Sequence, residues 1–124
     1  MHLGINAVSV SPGGGMTVLL GLLEAWKAAA APMRLTIWAS RRAVIEAVQR
    51  LRPDADVRTF AFEMSSAKHF ALQQLKLGRL VEQAGVDVLL GTQNGIERCR
   101  VPQVVHHQNL KRYEFPHVST RLLR

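Results

Sequence analysis

The residue types that could do chemistry gather in three places along this 124-residue chain. The first is the turn Ser11-Pro12-Gly13-Gly14-Gly15, which follows the apolar run Leu3 to Val8 and precedes a long apolar helical pattern from Met16. Glycines there permit positive φ and close backbone approach, and a helix start offers unpaired N–H groups to an anion. Strand, glycine turn and helix therefore make a candidate phosphate site, although the same residues also suit a tight turn that holds no ligand. The second place is Val104-Val105-His106-His107-Gln108-Asn109-Leu110. Adjacent strand residues face opposite ways, so His106 and His107 cannot both enter one site, and either also suits a satisfied core or edge histidine. The third is Cys99, which lies between Arg98 and Arg100.

Several chemistries are excluded by what these places lack. A dinucleotide fingerprint needs G-x-G-x-x-G; Gly13 and Gly15 fit, but the third place is Val18. Ala39, Ser40 and Arg41 stand where an acid would hold a ribose at the end of the second strand. A P-loop needs Lys followed by Ser or Thr at the helix start, and the pair here is Met16-Thr17. A zinc site from Cys99, His106, His107 and His117 would need unusual spacing and a fold-over, so no metal is expected. No Gly-x-Ser-x-Gly elbow occurs, and Cys99 has no identifiable histidine to activate it.

Composition bounds the class. An apolar fraction of 48% and a charged fraction of 20% suit one globular domain with its own core. The formal charge of +7 favours polyanions: nucleic acid, anionic headgroups or phosphorylated small molecules. The one cysteine rules out an internal disulfide and fits a reducing compartment. No secretory leader is read at the N-terminus, and Glu24 and Lys27 interrupt the most apolar stretch, Met16 to Met33. A cytoplasmic protein is expected, with the inner face of the membrane as a possible peripheral location.

The elements that must position these residues follow from periodicity. Leu3 to Val8 reads as a buried strand, Met16 to Ala30 as a helix packed on a sheet, and Arg34 to Ala39 as a second strand. Ser40 is the expected N-cap of a helix through Leu51. Val57 to Phe62 is a third strand, and Ser65 or Ser66 caps a third helix to Ala84 with Gly85 beyond its end. Its buried side is assigned to Leu72, Leu75, Leu77, Leu80 and Val81, with Lys68, Lys76 and Arg79 on another face. Val86 to Leu90 and Val101 to His107 complete five strands, with a polar turn from Gly91 to Gly95 between them. Alternating strands and helices predict an α/β, Rossmann-like three-layer domain over residues 1–124, with a mostly parallel five-stranded sheet in the order 3-2-1-4-5. Its crevice lies beyond the carboxyl ends of strands 1 and 4, facing the loops at 9–16, 91–100 and 108–116.

The ordered set resembles the N-terminal domain of GT-B-fold, retaining nucleotide-sugar glycosyltransferases. The resemblance rests on Leu3-Gly4-Ile5-Asn6, the Pro12-Gly13-Gly14-Gly15 turn, Asp87-Val88-Leu89-Leu90-Gly91 and Pro102 to Leu110. It implies the acceptor-side half of a hexosyltransferase-type enzyme, inactive alone, whose donor domain or partner subunit completes it. No cofactor is implied; a nucleotide-sugar is the co-substrate, and the acceptor is a sugar or a lipid-linked molecule. Gly13, Gly14 and Gly15 would contact the donor diphosphate, and Asn94, Gln108 and Asn109 the acceptor or sugar hydroxyls. Many relatives carry His-Asp where this chain has Gln108-Asn109, so His107, one residue earlier, is the candidate catalytic group.

The alternative reading is a non-catalytic Rossmann-like module that binds a polyanion, either nucleic acid or an anionic membrane surface. Arg41, Arg42, Arg50, Arg52, Arg58, Lys68, Lys76 and Arg79 supply its charge, though they also read as scattered solvated faces. Nucleic acid is the less expected partner, because only Tyr113 and Phe115, near Lys111 and Arg112, interleave aromatics with charge. Peripheral docking on anionic lipid would use the third helix and the basic tail Val118 to Arg124.

Overall fold

Eight elements form in the computed structural model, which describes residues 1–28, 33–61, 67–92 and 99–105. In order they are β1 (His2–Ala7), α1 (Gly14–Ala28), β2 (Arg34–Ala39), α2 (Arg42–Leu51), β3 (Asp56–Thr59), α3 (Ala67–Ala84), β4 (Val88–Gly91) and β5 (Gln103–Val105). The five strands make one sheet in the order β3-β2-β1-β4-β5, and every pairing is parallel. The predicted fold class and strand order are therefore correct. The element ends shift by one or a few residues in either direction.

The sheet is sandwiched because its central strands are apolar on both sides. Every residue of β1 is buried. Alternation along the strands sends Leu3, Ile5, Ala7, Leu35, Ile37 and Ala39 to one face, where they pack with Leu19 and Leu23 of α1 and Val44 and Val48 of α2. On the other face Trp38 and Leu89 pack with Val8, Phe60, Val86 and α3 residues Leu77 and Val81. α1 and α2 thus cover one face and α3 the other, as right-handed crossovers require when the chain reverses direction along the sheet.

Two expectations fail for identifiable reasons. Ser40 does not cap α2: Arg41 occupies the N-cap with no side-chain hydrogen bond, and Ser40 Oγ instead donates to the carbonyl of Val8. The hydroxyl ties β2 to the end of β1 rather than starting a helix. Leu72 does not belong to the buried side of α3, because its residue is 57% exposed. Leu72 and the fully buried Val81 are about two and a half helical turns apart, which puts them on opposite sides. The predicted caps Ser65 and Ser66 lie outside the described residues.

One face carries a close fit that only glycine allows. A Cβ on Gly4 would stand 3.1 Å from Trp38 Cζ3, 3.1 Å from Val86 Cγ1 and 3.2 Å from Leu89 Cδ1. The missing side chain of β1 makes the space that the Trp38 indole fills. At the amino edge, polar pairing replaces apolar packing. His2 Nε2 and Thr36 Oγ1 share a buried hydrogen bond of 2.6 Å, while the His2 amide donates to Asp87 Oδ2 and the Asp87 amide to the His2 carbonyl.

The turn from α2 into β3 is held by Arg52, which is buried apart from 8% of its surface. Its Nε donates to Asp54 Oδ1 at 2.9 Å and its Nη2 to Asp54 Oδ2 at 2.8 Å. The hydrogen bonds from this guanidinium hold the Asp54 carboxyl down to about 2. A carboxyl depressed in the folded state adds stability above its unfolded value, near 4, and loses it as pH falls toward 2. Asp54 is largely solvated, so the contribution is screened.

Two outcomes are expected. Gly4→Ala forces the indole and its neighbours apart and lowers unfolding free energy by about 1–3 kcal/mol, read by urea denaturation; an unchanged midpoint would show that the pocket yields freely. Asp54→Asn lowers the thermal midpoint at pH 7 and flattens the fall of stability between pH 4 and pH 2 relative to wild type.

Candidate functional site

In an open parallel sheet, ligands bind beyond the carboxyl ends of the strands where the connections diverge. Here that place lies between β1 and β4, since the chain runs from β1 toward β2 and β3 and returns on the other side through β4 and β5. The β1–α1 turn stands over it, and its local structure is set by hydrogen bonds from its own residues. The Val8 amide donates to Asn6 Oδ1 at 3.3 Å, and the Val10 amide to the Ala7 carbonyl at 3.1 Å. Thr92, which follows β4, donates to the Asn6 carbonyl from both its amide and its hydroxyl, at 3.3 and 3.0 Å. Asn6 and Thr92 are both buried, at 5% and 2% exposure, so they brace the two strand ends from inside. With Ser40 holding the Val8 carbonyl, the end of β1 is tied to both neighbouring connections.

Gly13 has φ +128°, a conformation that favours glycine, and its carbonyl accepts the first helical hydrogen bond from the Thr17 amide at 3.0 Å. The Thr17 hydroxyl donates to the same carbonyl. α1 therefore starts at Gly14, two residues before the predicted start, and Gly14 and Gly15 form its first turn. Gly13 has no side chain to cap that turn, and no acidic residue stands in it. The amides of Gly14, Gly15 and Met16 have no acceptor among the described residues. A Cβ at Gly13 or Gly14 would meet nothing within 4 Å, so the backbone is open to an incoming group. N–H groups without an acceptor among the described residues, at the positive end of a fifteen-residue helix, are donors of the kind that suit an anion.

Around this edge, residues 8–16, 40–42, 60–61 and 92 bring two ionisable side chains, Arg41 and Arg42, and the start of α3 adds Lys68. The two arginines begin α2 and are exposed, and Arg42 pairs with Glu46 at 3.1 Å. No group of three or more metal-binding side chains occurs among the described residues.

Of the residues singled out from sequence, Gly13, Gly14 and Gly15 stand at this site. Asn94, His107, Gln108 and Asn109 lie outside the described residues, as do His106, His117, Tyr113 and Phe115. Cys99 is half-buried against the α3 side of the core, with its Sγ 3.9 Å from the Gly78 carbonyl. Asn6 and Thr92 were missed. A polar residue ending an apolar strand, as in Ile5-Asn6-Ala7 and Leu90-Gly91-Thr92, is the signal that could have found them.

No family model matches this chain, and no curated protein does. Among solved structures, it is similar to the crystal structure of glycinamide ribonucleotide transformylase 1 from Symbiobacterium toebii, with a TM-score of 0.51 and 19% identity. The match covers 79% of this chain and 42% of that one, so the chain spans less than half the length of that protein. At 19% identity the likeness is one of fold.

This finding corrects the resemblance to GT-B glycosyltransferases, because the matching solved structure is a transformylase rather than a nucleotide-sugar transferase. The physical reason lies in what the quoted motifs encode. An apolar strand, a glycine turn, an apolar helix and a later pair of short strands specify parallel-sheet connectivity, and one such fold hosts many chemistries. Family, reaction and the nucleotide-sugar class of enzyme are withdrawn together. What the comparison leaves in place is the Rossmann-like α/β fold.

Proposed function

We propose that this domain anchors the phosphate of a ribonucleotide substrate at the start of α1, within an enzyme of one-carbon (formyl) transfer. The observation that carries the anchor is the set of free amides at Gly14, Gly15 and Met16, placed between β1 and β4 by the positive φ of Gly13. Phosphate groups suit such a helix start because several N–H dipoles converge on it without a competing carboxylate. The reaction class is supported by the name of the matching structure, a transformylase of a glycinamide ribonucleotide. A ribonucleotide carries the phosphate that this turn is built to accept.

In such a transfer a substrate amine forms a bond to the formyl carbon, the bond from that carbon to the donor breaks, and the amine proton passes to the departing donor. The described residues supply the fixed end of this geometry. The Asn6–Thr92 brace holds the turn rigid against the sheet, so a phosphate bound there fixes how far the substrate reaches over the carboxyl edge. Arg41, exposed at the start of α2, adds positive potential along that same edge.

Calorimetry with glycinamide ribonucleotide and with its dephosphorylated riboside tests the anchor, using wild type and Gly14→Asp. The added carboxylate meets open space and stabilises the helix start by about 0.5 kcal/mol, so the thermal midpoint holds or rises. It also repels the phosphate, and nucleotide affinity falls at least ~10-fold, toward that of the riboside. Equal nucleotide affinity in the variant would remove the anchor. Nucleotide binding without formyl transfer would keep the anchor and remove the reaction class.

A further inference from the structure

The solvent face of α3 gathers three cations around one exposed leucine. Leu72 is 57% exposed and sits at the centre of that face, on the side of the helix away from the buried Leu77 and Val81. Lys68 precedes it by four residues, Lys76 follows by four and Arg79 by seven, so all three cations share its side of the helix. All four residues are exposed. From Ala67 to Val81 the helix has no acidic residue, and Glu82, the first, turns its Oε1 to the Arg100 amide at 2.9 Å. Arg42, Arg52 and Arg58 are each paired with a carboxylate two or four residues away, while Lys27, Arg34, Arg41, Arg50 and Arg100, scattered over other elements, have no ion pair among the described residues. Lys68, Lys76 and Arg79 have no such partner among the described residues.

We propose that this stripe docks the protein on an anionic phospholipid surface, with Leu72 entering the headgroup layer and Lys68, Lys76 and Arg79 on the lipid phosphates. Charge complementarity selects the occupant. Three cations around one leucine on a convex helix face, with no carboxylate partner among the described residues, match a planar, negatively charged surface, whereas a protein partner would need a groove or a broader apolar patch. Long lysine and arginine stems reach outward from such a face while the leucine between them enters the interface. α3 leads from β3 to β4 and runs antiparallel to the strands, so its Lys68 end lies at the carboxyl edge of the sheet. Docking there holds the site edge close to the membrane. Among the described residues no helix is long and apolar enough to cross a membrane, so attachment is peripheral.

Vesicle co-sedimentation of the full chain tests this, with phosphatidylcholine alone and with phosphatidylcholine containing phosphatidylglycerol. Wild type binds the anionic vesicles and not the neutral ones, and releases as ionic strength rises from about 0.15 M to about 1 M. The triple variant Lys68→Gln, Lys76→Gln, Arg79→Gln loses ~100-fold in partition, from three charges at about 5-fold each. Leu72→Gln loses ~10-fold with its charge unchanged. All four side chains are exposed, so the variants keep the wild-type thermal midpoint. Equal binding to neutral vesicles, or a triple variant that binds anionic vesicles like wild type, would overturn the proposal. So would binding to soluble polyglutamate with none to anionic vesicles, which would mark an acidic protein partner instead.

Discussion

The placement of β1 between β2 and β4, buried on both faces, is the constraint on which the rest of the structure depends. A strand with neighbours on both edges and helices on both faces has no exposed side, so each of its residues must suit a different surround. Leu3, Ile5 and Ala7 meet the α1–α2 layer, while His2, Gly4 and Asn6 meet the α3 layer. The second set holds no large apolar side chain. Gly4 leaves room for Trp38, and His2 is satisfied by Thr36, because the indole of β2 already fills that layer. Packing there is shared between strands rather than supplied by each.

The two edges of the sheet use their polar groups differently. At the amino edge and the turn into β3, polar side chains pair within the fold: His2 with Thr36, Asp87 with the β1 backbone, Arg52 with Asp54. Such pairings hold strand ends in register. At the carboxyl edge Asn6 and Thr92 are spent on bracing the turn, but the amides beyond Gly13 are left open. Donors without partners at a rigid site are what an anion needs, since little must be reorganised when it arrives.

Charge follows a similar division. Several arginines lie beside a carboxylate close in sequence, and these pairs hold turns and strand edges; Arg58, for example, pairs with Asp56 and stands 5.9 Å from the Trp38 ring centre. Lys68, Lys76 and Arg79 of α3 have no such pair among the described residues and gather around the exposed Leu72.

How much of this was legible beforehand depends on the range of the forces involved. The alternation of apolar strands with helical patterns, the glycine turn and the strand order followed from local periodicity and from the handedness of crossovers, which need no knowledge of neighbours. The missing third glycine, acid and lysine likewise set the chain apart from the dinucleotide and P-loop patterns in the residues themselves. Family was not legible, because the motifs that suggested a glycosyltransferase describe parallel-sheet connectivity that unrelated enzymes share. Side-chain partners were not legible either. Ser40 stands where a cap belongs by local rules, yet its hydroxyl reaches the Val8 carbonyl just past the end of another strand. Leu72 belongs to an apolar series by type, yet helix phase turns it to solvent. Asn6 and Thr92 lie 86 residues apart, and their contact exists only once β1 and β4 pair. Sequence by itself determined the elements and their order; tertiary structure alone decided which polar groups were consumed and which were left open to a ligand, because hydrogen bonds between distant strands form only when the sheet does.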